Sequence, residues 1–468
     1  MKRFNSINNS HLCELLSYVT PQRFFSGSSI PEDITHDELS TIKAMPEVVI
    51  QPITSQEVAH ILAYASQHSL PVTVRGQGTG LVGGAVPIFG GIVLDMQKMN
   101  RILEMDTENL TLTVESGVLL MDVTRYAEER GFFYPPDPGE KTASIGGNIS
   151  TNAGGMRAVK YGVTREYVRG LEIVTATGKI LDLSGKVVKN SSGYALKDMI
   201  IGSEGTLAVI TKAILRLIPL PKENISLLIP YVSLDEAMEA VPKLLHSGFQ
   251  PVAIEFLEKE TLLDTELYLG RTFPDSQYDA YLLVSLDGQN REELMKVFEE
   301  VAELCLQTGA PDVFLADTKE RKDSLWTARG AFLEAIKASA NEIDECDVVV
   351  PRNRVAEFMA YAHTLEQLYH LPIRGFGHAG DGNLHVYALR KNIDEQEWIE
   401  RKNQVMNALY RKAAELRGQV SGEHGIGIEK KPYLLRMLGQ DVLDLMSGIK
   451  NVFDPKGILN PGKIFDAK

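Results

Sequence analysis

Cysteine is scarce in this 468-residue chain. There are three, Cys13, Cys305 and Cys346, far apart and forming no Cys-x-x-Cys pair. A cluster held by four thiolates is thereby excluded from the chain, and a disulfide framework is not expected. Basic residues are outnumbered as well: 48 Lys and Arg face 62 Asp and Glu, for a net charge of −14 without a charged tail. Nucleic-acid binding needs clustered basic side chains, so that class is set aside. No apolar run approaches the ~20 residues that span a bilayer. Met1 to Ser10 is polar and has no apolar stretch of the kind a signal peptide carries. The expectation is a soluble cytoplasmic protein, meeting a membrane only through a partner.

What the chain does have is length and glycine. At 468 residues it exceeds one hydrophobic core, so two or three domains are expected. A helical arm over 1–40 precedes a region of short β-branched runs and glycine-rich turns, which reads as an α+β domain over 41–221. Leu217-Ile-Pro-Leu-Pro221 marks a boundary, because proline at alternating positions favours extended backbone. Beyond it, runs at Ile225–Tyr231 and Ala280–Leu286 read as strands. Asp235–Ser247, Glu292–Gly309 and Ser324–Ala340 read as helices, so a second α+β domain over 222–431, with helices on one face of its sheet, is expected. The segment 432–468, with a helix over Leu434–Phe453, is expected to return to the first domain.

Three glycine-rich segments follow in order. The first, Arg75-Gly-Gln-Gly-Thr-Gly80 and on to Gly84, has five glycines in nine residues directly after a strand. Glycine lets backbone N–H groups approach an anion, as a nest does. The string lacks the Lys-Ser/Thr of a Walker loop and the third glycine of a Rossmann fingerprint. Composition alone leaves a plain surface loop as an equal reading. The second segment joins Pro135-Pro136-Asp137-Pro-Gly139 to Ser144-Ile-Gly-Gly147-Asn148-Ile-Ser-Thr151-Asn152-Ala-Gly154-Gly155. It has too little side-chain volume to fill a core and suits packing against a flat ligand, with Asn148, Thr151 and Asn152 offering hydrogen bonds. The third, Gly202-Ser-Glu204-Gly-Thr206, precedes the strand Leu207–Ile210.

A histidine constellation lies downstream. Gly375-Phe-Gly-His378-Ala-Gly-Asp-Gly-Asn-Leu-His385 is too glycine-rich for a helix, and Asp381-Gly382 signals a two-residue hairpin turn. Counted outward from that turn, 378 faces 385, which puts two imidazoles on one face at a spacing suited to a metal. Ser421-Gly-Glu423-His424-Gly-Ile-Gly427 adds a carboxylate and a further histidine. A lone histidine is usually a hydrogen-bonded structural residue; this grouping favours a site for Zn²⁺, Mn²⁺ or Fe²⁺. Spacing alone fits a metal hydrolase as well as a dehydrogenase.

Together these motifs resemble the FAD-linked D-2-hydroxyacid dehydrogenases (D-lactate dehydrogenase and glycolate oxidase flavin-subunit type) of the vanillyl-alcohol oxidase / p-cresol methylhydroxylase superfamily. The resemblance implies a two-subdomain FAD-binding domain and an α+β cap with an antiparallel sheet. It assigns Arg75 to Gly80, Pro136, Asp137, Ser144, Gly147, Asn148, Thr151, Asn152, Gly154, Gly155, Glu204, Ile210 and, in the tail motif Asp454-Pro-Lys-Gly-Ile-Leu-Asn460, Asn460 to FAD. The first loop carries Thr79 and no histidine, so FAD is expected to be non-covalent. His378, His385 and Glu423 are implied as ligands of one divalent metal, His424 as the base, and Arg329 in Trp326-Thr-Ala-Arg329 as the clamp for a substrate carboxylate. Unaided, that arginine also reads, less favourably, as a surface residue of a helix. Leu333 and Glu345 fall where relatives specific for hydroxyglutarate carry polar or cationic groups, which favours D-lactate, then glycolate. The alternatives are a D-2-hydroxyglutarate dehydrogenase or an electron-transfer flavin subunit of a larger complex. No nicotinamide fingerprint is present, so an electron-transferring flavoprotein, an iron–sulfur subunit or a quinone is expected to take the electrons.

Overall fold

The computed structural model describes residues 4–39 and 41–466. Positions 1–3, 40, 467 and 468, which fall in the expected arm and tail, lie outside the described residues. The chain forms two compact units, Met1–Gly154 with Val163–Leu220 and Glu423–Lys468, and Gly155–Gly162 with Pro221–Gly422. The boundary read from Leu217–Pro221 falls after Leu220. The C-terminal part of the first unit begins at Glu423 rather than 432. Its opening turn is tied within that unit, where Ile428 N–H donates to the Val82 carbonyl at 2.8 Å.

The first unit holds two main sheets. One has the order Phe24–Ser26, Val48–Ile50, Ile92–Asp95, Val72–Arg75, with its last three strands parallel. Those three are almost wholly buried and β-branched, as parallel strands covered on both faces require. Helix Ser55–His68 starts where Thr54 Oγ1 accepts the Glu57 N–H, and it buries Val58, Ile61, Leu62 and Ala65 at helical spacing. The expected arm is not a separate body. Leu15 and Val19, from and just after helix Asn9–Ser17, join the same core, and Phe24–Ser26 adds a strand. The second sheet is antiparallel, in the order Ile102–Asp106, Thr111–Glu115, Ala208–Arg216, Val168–Thr175, Ile180–Ser184.

The C-terminal tail closes the first sheet. Val72 N–H donates to Ile458 and Asn460 N–H to Val72, so residues 458–460 run beside the edge strand. Asn460 then satisfies two more backbone groups: its Oδ1 accepts the Val74 N–H at 2.8 Å and its Nδ2 donates to the Glu204 carbonyl at 2.7 Å. The single helix expected over Leu434–Phe453 is two, Lys431–Leu438 and Gln440–Phe453, because Gly439 takes φ +77° between them.

The second unit is built on one seven-stranded antiparallel sheet. Its order is Phe314–Ala316, Glu223–Tyr231, Ala280–Gly288, Ala253–Glu258, Ile373–His378, Asn383–Arg390, Glu342–Val349. Helices cover both faces rather than one. On one face Phe332, Ile336 and Leu262 pack on Leu257, Phe376, Tyr387 and Leu389. On the reverse face lies helix Val355–Tyr369, whose Met359 stands where a Cβ on Gly375 would be, 2.2 Å away. The helix expected over Ser324–Ala340 is also two, Lys319–Gly330 and Phe332–Ala338; the bend at Ala331 leaves both Arg329 and Phe332 buried.

Two predictions test this architecture. Asn460→Ala leaves the Val74 N–H and the Glu204 carbonyl buried without their partner and should lower stability by about 2–4 kcal/mol in denaturant unfolding. Helix Val355–Tyr369 is also pinned to the sheet by His363, whose Nε2 lies 2.7 Å from Glu258. The hydrogen bonds to Glu258 and then Glu366 raise its pKa from 6.5 to about 10. The folded state therefore holds the proton more tightly than the unfolded chain. Its contribution should be complete below pH 6.5 and fade as the pH rises through 10. The difference in melting temperature between the wild type and His363→Gln should shrink over that range.

Candidate active site

In the first unit the three glycine-rich segments converge on one cleft. Gly76, Gln77, Gly78, Thr79, Gly80, Ser144, Gly147, Asn148, Thr151, Glu204, Ile210 and Asn460 all line it. The approach of the first two segments is close: a Cβ on Gly76 would stand 2.2 Å from Ser144 Oγ. Gly78, at φ +75°, would meet the Arg75 guanidinium at 2.0 Å. Arg75 itself does not line the cleft. It is buried and donates to the carbonyls of His36 and Asp33, bracing the loop from beneath. Pro136, Asp137, Asn152 and Gly154 are likewise absent from the lining. Asn152 is engaged elsewhere, accepting the Arg165 N–H at 3.0 Å, and Gly155 belongs to the second unit.

The residues present fit a flat polar cofactor. The walls are mostly glycine and small side chains, and Ser116 places in the lining a buried Oγ that has no hydrogen-bond partner among the described residues. Sequence reading missed Ser116 and Asp37, neither of which sits in a recognisable motif. Asp37 also lines the cleft, and burial raises its pKa to about 6.

Glu423 and His424 line this same cleft, with His424 Nε2 3.8 Å from Glu423 Oε1. Their turn hangs on Glu204, whose carboxylate accepts the N–H groups of Ile426 at 2.8 Å and Gly427 at 2.7 Å. Burial raises the pKa of Glu204 against the pull of those donors. Through its side chain and its carbonyl, Glu204 joins the third glycine-rich segment to the His424 turn and to Asn460.

In the second unit the hairpin carries both remaining histidines. Its register differs from the count made from the turn: His378 pairs with Asn383, and His385 with Phe376. The connection spans 379–382 rather than two residues. Because the shift is even, no side chain changes face. His378 and His385 are diagonal neighbours on one face instead of direct opposites. Their ring centroids are 5.4 Å apart, and a nitrogen of each lies within 4.8 Å of the other.

Carboxylates hold both rings from behind. Glu255, wholly buried, meets His378 Nδ1 at 2.7 Å. Glu345 meets His385 Nδ1 at 3.2 Å and accepts the Tyr387 hydroxyl at 2.7 Å. Burial, then Glu345, drives the Tyr387 pKa far above its usual value. A histidine whose Nδ1–H is given to a carboxylate presents Nε2 as a metal donor, so this donor set suits a divalent cation. Asp347, also wholly buried, accepts from Asn383 Nδ2, from Ser421 Oγ and from the Gly422 N–H. None of the three carboxylates was singled out as a support for the histidines. The available signal was Glu255 inside the apolar run Ala253-Ile-Glu-Phe-Leu257.

Arg329 is not on the surface. It is 9% exposed, donates through Nε to Glu255 Oε2 at 2.7 Å, and lies 4.7 Å from the centre of the Phe376 ring. Burial pushes Glu255 up, but its contacts with His378 and Arg329 outweigh it and hold the carboxyl below its ordinary range.

Known proteins resemble the chain in sequence and in fold. Residues 46–184 match the family described as FAD binding domain, and residues 220–464 match FAD linked oxidases, C-terminal domain. The chain is 47% identical to a D-lactate dehydrogenase of Anaerostipes hadrus, covering 97% of each sequence. It is 39% identical to glycolate oxidase subunit GlcD of Bacillus subtilis, covering 97% of this chain and 96% of that one. Among solved structures, p-cresol methylhydroxylase superposes with a TM-score of 0.80 at 16% identity, covering 98% of this chain and 97% of that one. Among the described residues no helix is long and apolar enough to cross a membrane. By sequence over nearly its whole length the chain belongs to the FAD-linked D-2-hydroxyacid dehydrogenases, and its fold is that of p-cresol methylhydroxylase.

Proposed function

We propose that the protein oxidises a small D-2-hydroxy acid, D-lactate before glycolate, to the 2-oxo acid. The observation that supports this best is His424 on the wall of the glycine-lined cleft. When bound, non-covalent FAD supplies the two-electron acceptor, and one divalent metal, with His378, His385 and Glu423 as its ligands, supplies a Lewis acid. The chain does the rest. Arg329 has its Nε edge on Glu255, and its Nη1 side is the edge for the substrate carboxylate. His424 takes the proton of the 2-hydroxyl. Leu333, packed in the Phe332–Phe376 cluster, suits a methyl or a hydrogen on C2. The anionic Glu345 disfavours a second carboxylate. A D-2-hydroxyglutarate dehydrogenase is the weaker reading on those two residues. The electron acceptor would be an electron-transferring flavoprotein, an iron–sulfur subunit or a quinone. A cytoplasmic enzyme, at the membrane only through that acceptor, fits this reading.

Two experiments test it. His424→Ala should keep its flavin absorbance yet slow anaerobic reduction by D-lactate by about 10²–10⁴-fold. Reduction at the wild-type rate would remove His424 from the base role. For the wild type, kcat/KM should be higher for D-lactate than for D-2-hydroxyglutarate. The opposite order would overturn the small-substrate assignment.

A further inference from the structure

We propose that Glu255 is a positioning residue that couples the two halves of the site, holding the His378 imidazole and the Arg329 guanidinium with one carboxylate. The inference rests on the reading of His378 as a metal ligand and of Arg329 as the substrate clamp.

The geometry divides the carboxylate cleanly. Oε1 faces His378 Nδ1 at 2.7 Å, and Oε2 accepts Arg329 Nε and Nη2, each at 2.7 Å. His378 is directly opposite Glu255 across the strand pair, so the contact is fixed by sheet register rather than by a mobile loop. Arg329 arrives from the last turn of Lys319–Gly330 and is flattened against Phe376 and Phe332, 4.7 and 5.5 Å from the ring centres. With its Nε/Nη2 edge taken, the guanidinium can turn only if Glu255 turns with it.

Stability does not call for an acid here. A buried ion pair seldom outperforms apolar residues of the same volume, and Glu255 is fully desolvated on the central strand Ala253–Glu258. What a carboxylate adds is direction. It keeps Nδ1 as the protonated nitrogen, which commits Nε2 to the metal, and it sets the plane of the arginine fork. Two binding groups that share one holder are thermodynamically linked, so a change at either must be felt at the other.

The test uses FAD-loaded full-length protein, with Mn²⁺ affinity measured by chelator competition and KM measured for D-lactate. Flavin content and far-UV circular dichroism report folding. Glu255→Gln should retain FAD, lose Mn²⁺ affinity by about 10–100-fold and raise KM for D-lactate. Arg329→Lys keeps the cation but breaks the fork to Oε2. It should weaken Mn²⁺ binding as well, although this residue is no metal ligand. The double variant should bind Mn²⁺ no more weakly than Glu255→Gln alone. If the wild type takes up Mn²⁺ and Arg329→Lys binds it equally well, the coupling is overturned while the metal site stands. That arm also decides the matter should Glu255→Gln fail to fold. A wild type that takes up no Mn²⁺ would overturn the metal reading, and the coupling with it.

Discussion

A carboxylate with no exposure to water must be compensated where it stands, and Glu255 organises one face of the second unit on that account. Its two oxygens recruit a histidine from the neighbouring strand and an arginine from a helix that crosses the sheet. The arginine in turn needs a flat support, which Phe376 supplies. Glu345 repeats the device on the next strand pair, with His385 and Tyr387 as its partners. Polar chemistry is thus embedded in a sheet face that also carries Leu228, Leu257, Tyr281, Phe376 and Leu389.

The first unit solves the opposite problem. Its cleft is walled by residues with almost no side chain, so backbone groups must be anchored from outside. Arg75 does this beneath the first loop, Glu204 beneath the His424 turn, and Asn460 at the edge of the parallel sheet. Each anchor is a long-range contact between segments distant in sequence, and each satisfies backbone groups.

Much of this was legible in the sequence. Short β-branched runs located the principal strands, and the glycine strings marked the cleft, because low side-chain volume is a local property. The hairpin was found from Asp381-Gly382, but its register was two residues out. A turn signal fixes where the chain reverses, not how many residues the connection uses. Gly439 was read through as helix interior although its positive φ divides the helix. Acids on the sheet face were the hardest to see. Glu255, Glu345 and Asp347 look like solvated strand residues until the partner strands are placed, since their meaning depends on what lies opposite. Arg75, which the resemblance assigns to FAD, meets the carbonyls of His36 and Asp33, partners set by the tertiary fold.

The position of Glu345 also bears on how such an enzyme could diversify. One carboxylate steadies His385 and tethers Tyr387. On the proposed reading it also turns away larger diacids. Substrate range and metal retention are then written in the same codon. A lineage drifting toward a bulkier acid could not simply exchange Glu345 for a cation; it would first need a new acceptor for the Nδ1 proton of His385. The order in which such changes can accumulate is constrained by a single 3.2 Å contact.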